Sequence, residues 1–322
     1  MIRALEPGDR VGPYRVDSLV SRGGMASLFR GTDVRSGRNV AIKVPHPEYE
    51  MDVLFFDRFR REAEIGRRLD HPGVVKVLPE EQDGRVCMVM EWVEGRPLRE
   101  ILDEEKKLSP ERAERIVIRI SDALGYIHAQ GVVHRDLKPD NIMVDGHDHI
   151  KIIDFGIAGE ARGRRLTFAK FTKAMGTPDY VSPEQVKAKR GDARSDLYSL
   201  GVMLYEMLTG QVPFSGSNTL TALNQRLVCP PPPPREIEPS ITVQMEEIIL
   251  RAMERDPDSR YQTAQDFAHE LAHPEQIAIG SREEERHGLV YATPRQRTLS
   301  YLALALIPLA IFALLLIVAH SQ

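Results

Sequence analysis

Four short segments of this 322-residue chain carry residues able to handle phosphate, metal and protons. In HRDLKPDN, His134 to Asn141, a single loop holds Asp136, Lys138 and Asn141, which are a proton acceptor, a cation for a phosphoryl group and an amide ligand for a metal ion. DFG, Asp154 to Gly156, follows the apolar run Ile150 to Ile153 and places a carboxylate at a strand end, where it could hold Mg²⁺. By itself DFG is an ordinary turn. Upstream, SRGGMASLF, Ser21 to Phe29, has Gly23 and Gly24 where backbone N–H groups could approach an anionic phosphate chain. AIK places Lys43 on a buried strand, where an ammonium needs a counter-charge, and Glu62 on the next predicted helix is the natural one. Most isolated strand lysines are simply solvated.

The elements that must position these groups follow from periodicity. Residues 14–45 alternate apolar and polar positions between glycine-rich breaks, which predicts antiparallel strands with tight turns. FFDRFRREAEIGRRL, 55–69, has helical spacing, and strands are expected near 74–80 and 85–91. Beyond Gly95 the pattern is helical at 98–105, 110–129, 195–209, 218–227, 242–254 and 263–272. A β-rich lobe thus precedes a helical one. Pro230 to Pro234 reads as a rigid connection across a surface rather than a docking ligand.

Composition excludes several classes. Hydrophobic residues at 42% and charged residues at 28% are globular values, neither disordered, collagen-like nor multi-spanning. Acidic residues exceed basic ones by 47 to 43, so no global basic field points to nucleic acid as a partner. Cys87 and Cys229 form no cluster, which excludes a disulfide framework and suits a reducing compartment. The N-terminus carries no signal-peptide pattern. Leu299 to Ala319 holds no charge and, as a helix, is long enough for a hydrocarbon core of roughly 30 Å. A stretch apolar on every face favours spanning over docking on a soluble domain. Arg295 and Arg297 precede it and only His320 to Gln322 follow, so the expectation is a single-pass C-terminal anchor in the inner or plasma membrane, with the bulk cytoplasmic. Residues 273–298 read as a juxtamembrane tether.

In this order the segments resemble the eukaryotic-like protein kinase superfamily, of the bacterial membrane-anchored Ser/Thr type, over about residues 8–272. GTPDYVSPE at Gly176 to Glu184, DLYSLG at Asp196 to Gly201 and Arg260 in SRYQTA extend the match. The resemblance implies an α+β bilobal fold, with an N-lobe at 8–93 and a C-lobe at 94–272, followed by the linker, one transmembrane helix and a short tail at 320–322. It implies ATP with Mg²⁺, Mn²⁺ being an acceptable substitute, and protein substrates. Position by position, Lys43 would bind the α- and β-phosphates while paired with Glu62, and Asn141 and Asp154 would hold the metal. Asp136 would orient the substrate hydroxyl and Lys138 would neutralise the transferring phosphoryl group. Ser21, Arg22, Gly23, Gly24, Met25 and Ala26 would form the nucleotide loop, and the backbone of Glu91 to Val93 would carry the adenine behind Met90. Thr177 and Lys138 fit the pattern for Ser/Thr acceptors.

The sequence departs from the family pattern at two places. Ser21 and Ala26 replace the first and third loop glycines, and Ser21 is expected to stiffen the loop tip or alter its turn. Gly66, one turn after Glu62, stands where the family packs an apolar side chain against Phe155 and His134, so the Lys43–Glu62 pair is expected to need support. Thr167 and Thr172 lie among basic residues, and phosphate there would pair with Arg135. The resemblance also allows a homodimer of kinase domains. Two alternatives remain: a nucleotide-binding pseudokinase scaffold and a small-molecule phosphotransferase. Lys43, Asp136 and Asp154 weigh against the first, and the Gly176–Glu184 segment weighs against the second.

Overall fold

The computed structural model describes residues 5–49, 52–79, 86–154, 178–216 and 218–277. Met1–Gln276 form one compact unit and Ile277–Gln322 a second. The expected membrane span and residues 278–298 of the tether lie outside the described residues, as do Phe155, Gly156, Thr167, Thr172 and Thr177. Among the described residues no helix is long and apolar enough to cross a membrane.

The alternation in the first ninety residues builds one antiparallel sheet. Its strands are β1 (Arg10–Val11), β2 (Tyr14–Arg22), β3 (Ala26–Asp33), β4 (Asn39–Pro45) and β5 (Met88–Glu91), paired in sequence order. Their inward residues, among them Val11, Tyr14, Val16, Phe29, Ile42 and Val89, form a core beneath it. Helix α1 (Val53–Arg68) begins two residues before its predicted start because the Asp52 carboxylate caps it, accepting from the Phe55 N–H at 3.0 Å. It buries Phe59, Glu62, Ala63 and Gly66, spaced as one helical face.

The strand expected near 74–80 is reduced to two isolated bridges. Val74 pairs with Ile152 and Val77 with Met90, so the segment changes partners between two sheets and no ladder develops. The second sheet comprises β6 (Arg96–Pro97), β7 (Ile142–Val144) and β8 (Ile150–Ile152). It belongs to the lower lobe, otherwise built from α2 (Leu98–Glu105), α3 (Pro110–Ala129), α4 (Pro183–Val186), α5 (Ala193–Thr209), α6 (Thr219–Val228), α7 (Pro234–Ile237), α8 (Val243–Ala252) and α9 (Ala264–Ala272). The proline run ends by starting α7 at Pro234, in the first turn, where a missing N–H costs nothing.

Helix α5 is the axis of this lobe. Every residue from Ser195 to Leu208 is buried. Gly201 allows α8 to cross closely, since an added Cβ would stand 2.7 Å from that of Ala252. Gly210 ends the helix in the left-handed region, at φ 74°.

One buried ion pair fastens α4 to the segment before α9. The Arg260 guanidinium, wholly buried, donates to both Glu184 carboxylate oxygens at 2.9 and 2.7 Å and to the Glu254 carbonyl at 2.7 Å. Burial would raise the Glu184 carboxyl, but Arg260 and the Ser195 hydroxyl overcome it and hold it below the usual carboxylate range. Removing one partner strands the other. Arg260→Ala is expected to lower the unfolding free energy by about 3–5 kcal/mol in chemical denaturation. A depressed carboxylate stabilises the fold fully above its unfolded value and loses that contribution as pH falls through the folded one. Glu184→Gln should therefore flatten the decline in stability between about pH 6 and pH 3.

Candidate active site

The groups singled out at the start converge at the junction of the two sheets. Lys43 lies in β4, opposite Leu28 of β3 and Met88 of β5. Its ammonium reaches Asp154 Oδ1 at 2.7 Å and Glu62 Oε1 at 3.3 Å. Burial alone would pull the lysine down, but the charges of Asp154 and then Glu62 hold it above the usual lysine range. Burial pushes the Glu62 carboxyl up to about 7, with Lys43 opposing and Asp154 reinforcing the shift. Burial acts in the same direction on Asp154, yet the adjacent Lys43 keeps that carboxyl below its ordinary value. Asp154 therefore stays ionised.

Gly66 does not prevent the pair. Helix α1 continues through it, buried, and Glu62 meets Lys43.

The loop after α3 supplies the other half. Lys138 Nζ stands 3.0 Å from Asp136 Oδ2, and the Asn141 amide donates to the Asp136 carbonyl at 2.7 Å and to Oδ2 at 3.2 Å. These bonds engage the Asn141 amide nitrogen. The Asn141 carbonyl accepts from the Ile153 N–H at 2.9 Å, which seats this loop beside the strand delivering Asp154.

Asp196 holds this loop in place. Fully buried near the start of α5, its carboxylate accepts the N–H groups of His134 at 2.8 Å and Arg135 at 2.7 Å, and lies 2.8 Å from His128 Nε2. Gln185 of α4 donates to the Arg135 carbonyl at 2.9 Å. Arg135 is thereby kept at φ 65°, and Asp154 sits at φ 55°, both in the left-handed region that side chains seldom adopt. Burial pulls the His134 ring below its usual value, so it is neutral and its Nδ1 accepts from the Asp136 N–H at 3.3 Å. Sequence reasoning gave Asp196, His128 and Gln185 no role. The available signal was a lone acid in the otherwise apolar run DLYSLGVML.

The loop between β2 and β3 turns over Gly23 to Ala26, closed by Gly23 N–H to Ala26 C=O at 3.0 Å. No residue from Ser21 to Ala26, Arg22 and Met25 included, has a positive φ, and Ser21 pairs with Leu28 in ordinary strand geometry. Irregularity falls instead at Val20, where the register with β3 shifts.

At the lobe connection Met90 is buried and pairs with Ala41. The Glu91 carboxylate is held from behind, by Lys151 at 2.7 Å and the Lys76 N–H at 2.9 Å.

A cation between two carboxylates, and an acid beside a lysine and an amide, thus meet where the two sheets adjoin. The chain belongs to the protein kinase family: the family described as "Protein kinase domain" matches residues 14–272. It is 41% identical over 267 residues to a probable serine/threonine-protein kinase of Streptomyces coelicolor, covering 81% of this chain and 40% of that protein. It is 37% identical over 262 residues to serine/threonine-protein kinase PrkC of Bacillus subtilis, covering 81% and 40%. The chain thus spans less than half the length of these relatives. Its fold is similar to the solved PknI kinase domain of Mycobacterium tuberculosis, at TM-score 0.66 and 24% identity, covering 84% of this chain and 100% of that one. Members of this family use ATP and Mg²⁺.

Asp196→Asn tests the anchor. It turns one acceptor into a donor facing N–H groups, and denaturation should show a loss of about 3 kcal/mol.

Proposed function

We propose that this chain is a serine/threonine protein kinase that transfers the γ-phosphate of ATP to protein hydroxyls, with its domain at 8–272 and a membrane anchor at 299–319. The observation that carries the reading is Lys43 bonded at once to Glu62 and Asp154, with Asp136, Lys138 and Asn141 on the adjoining loop. The kinase names of the relatives support it, and the uncharged run at 299–319 supports the anchor. We further propose a cytoplasmic domain that can pair with a second copy.

The residues fit a divalent ion. Asp154 is ionised, its Oδ1 engaged by Lys43, and the Asn141 oxygen is freed by the anchoring of its nitrogen. Bound there, Mg²⁺ would screen the phosphates and orient them for in-line transfer.

The remaining work falls to the chain. Glu62 keeps the Lys43 ammonium where it can meet the α- and β-phosphates. The N–H groups of the 21–26 turn cover the phosphate chain and exclude water. Asp136 accepts the proton of the incoming hydroxyl, oriented by Lys138 and Asn141 on its Oδ2. Lys138 then offsets charge on the transferring group, and Thr177 completes the serine/threonine pattern. Arg135 is the receiver for phosphate on Thr167 or Thr172.

Purified full chain with Mg²⁺ and γ-³²P-ATP should label itself and a basic protein on Ser or Thr. EDTA should abolish the label, and Asp136→Asn should cut it by about 10²–10⁴-fold. Nucleotide binding without transfer would instead identify the pseudokinase scaffold. Peptide mass spectrometry of the active protein should find phosphate at Thr167 or Thr172, and a loop free of phosphate would remove that regulatory role.

A further inference from the structure

The segment between β4 and α1 touches the turn after β2 through two residues, His46 and Tyr49. The His46 N–H donates to the Met25 carbonyl at 2.9 Å, and its buried ring meets the Ser27 hydroxyl at 3.0 Å. The Tyr49 hydroxyl donates to the Gly24 carbonyl at 3.3 Å. The same segment is tied to the helix. The Asp52 N–H donates to the Tyr49 carbonyl at 2.9 Å, and Asp52 is the cap of α1. The Tyr49 ring stacks on Phe55 in the first turn of α1 at 4.9 Å, and Phe55 stacks on the buried Phe59 at 6.3 Å. Phe59 lies one turn before Glu62 and shares its buried face.

We propose that Tyr49 is a positioning residue, a strut that joins the nucleotide turn to the helix carrying Glu62, so that covering the phosphates and pairing Lys43 with Glu62 reinforce each other. The inference rests on the kinase reading and adds a residue to it. Tyr49 has two separable ends. Its hydroxyl holds the Gly24 carbonyl, at a position where an added Cβ would meet nothing within 4 Å. Its ring fixes α1. A displacement of either end is transmitted to the other through one rigid side chain. Linkage then requires that nucleotide tighten the Lys43–Glu62 pair as much as the pair tightens nucleotide.

Tyr49→Phe keeps the stack and deletes the hydroxyl, while Tyr49→Leu removes both ends. The full chain is titrated with Mg²⁺ and the non-hydrolysable ATP analogue AMP-PNP by calorimetry, alongside steady-state kinetics. Tyr49→Phe should weaken binding by about 3- to 10-fold, the range of one neutral hydrogen bond, and raise KM for ATP by the same factor, the change falling on KM rather than kcat. Tyr49→Leu should also lower kcat, and its effect on binding should shrink in a Glu62→Gln background, as coupled sites require. Equal binding by Tyr49→Phe and the unaltered chain would overturn the strut, as would additive effects of Tyr49→Leu and Glu62→Gln. If the unaltered chain bound no nucleotide, the kinase reading itself would fall, and the strut with it.

Discussion

The carboxylate of Asp196 is buried to zero exposure in the central helix of the lower lobe. Such a charge is tolerable in the core only if donors surround it. Two of those donors are consecutive backbone N–H groups, at His134 and Arg135, and accepting both fixes the chain direction through HRD. The left-handed Arg135, the outward turn to Asp136 and the seating of Asn141 against Ile153 follow from that constraint. The large apolar α5 is thus the scaffold to which the reactive loop is bonded, and the precision of the site derives from the rigidity of the core.

The upper lobe contributes in a different way. Its sheet holds Lys43 by register, and α1 holds Glu62 by packing, but neither fixes the distance between them. Electrostatics does. Two carboxylates compete for one ammonium, and the nearer, Asp154, belongs to the lower lobe. The charge that Lys43 shares between them is therefore also a bond between lobes, and an incoming triphosphate would be a third claimant on it.

Much of this was legible in the sequence, where chemistry is tied to local order. HRDLKPDN and AIK place their groups on one loop and one strand, and helical periodicity located α2 and α3 to the residue. What stayed hidden depends on contacts between distant segments. Asp196 was visible as a member of DLYSLG, and Arg260 and Glu184 as members of their motifs, yet nothing local says that Arg260 is buried against Glu184. Residues 74–80 misled for a related reason: their apolar pattern suits a strand, but a strand needs one continuous partner, and this segment has two.

That divided pairing has a mechanical consequence. The Val75 N–H and the Gly73 carbonyl bond to Ile152 of the lower sheet, whereas the Lys76 carbonyl and the Leu78 N–H bond to Glu91 and Val89 of the upper one. Allegiance changes between Val75 and Lys76, within a single peptide unit. If the lobes rock as rigid plates, that peptide is the fulcrum, since a pivot one residue either way would tear a hydrogen bond from one plate. The peptide lies beside the chain connection at 91–93, to which it is tied by the Lys76 N–H on the Glu91 carboxylate.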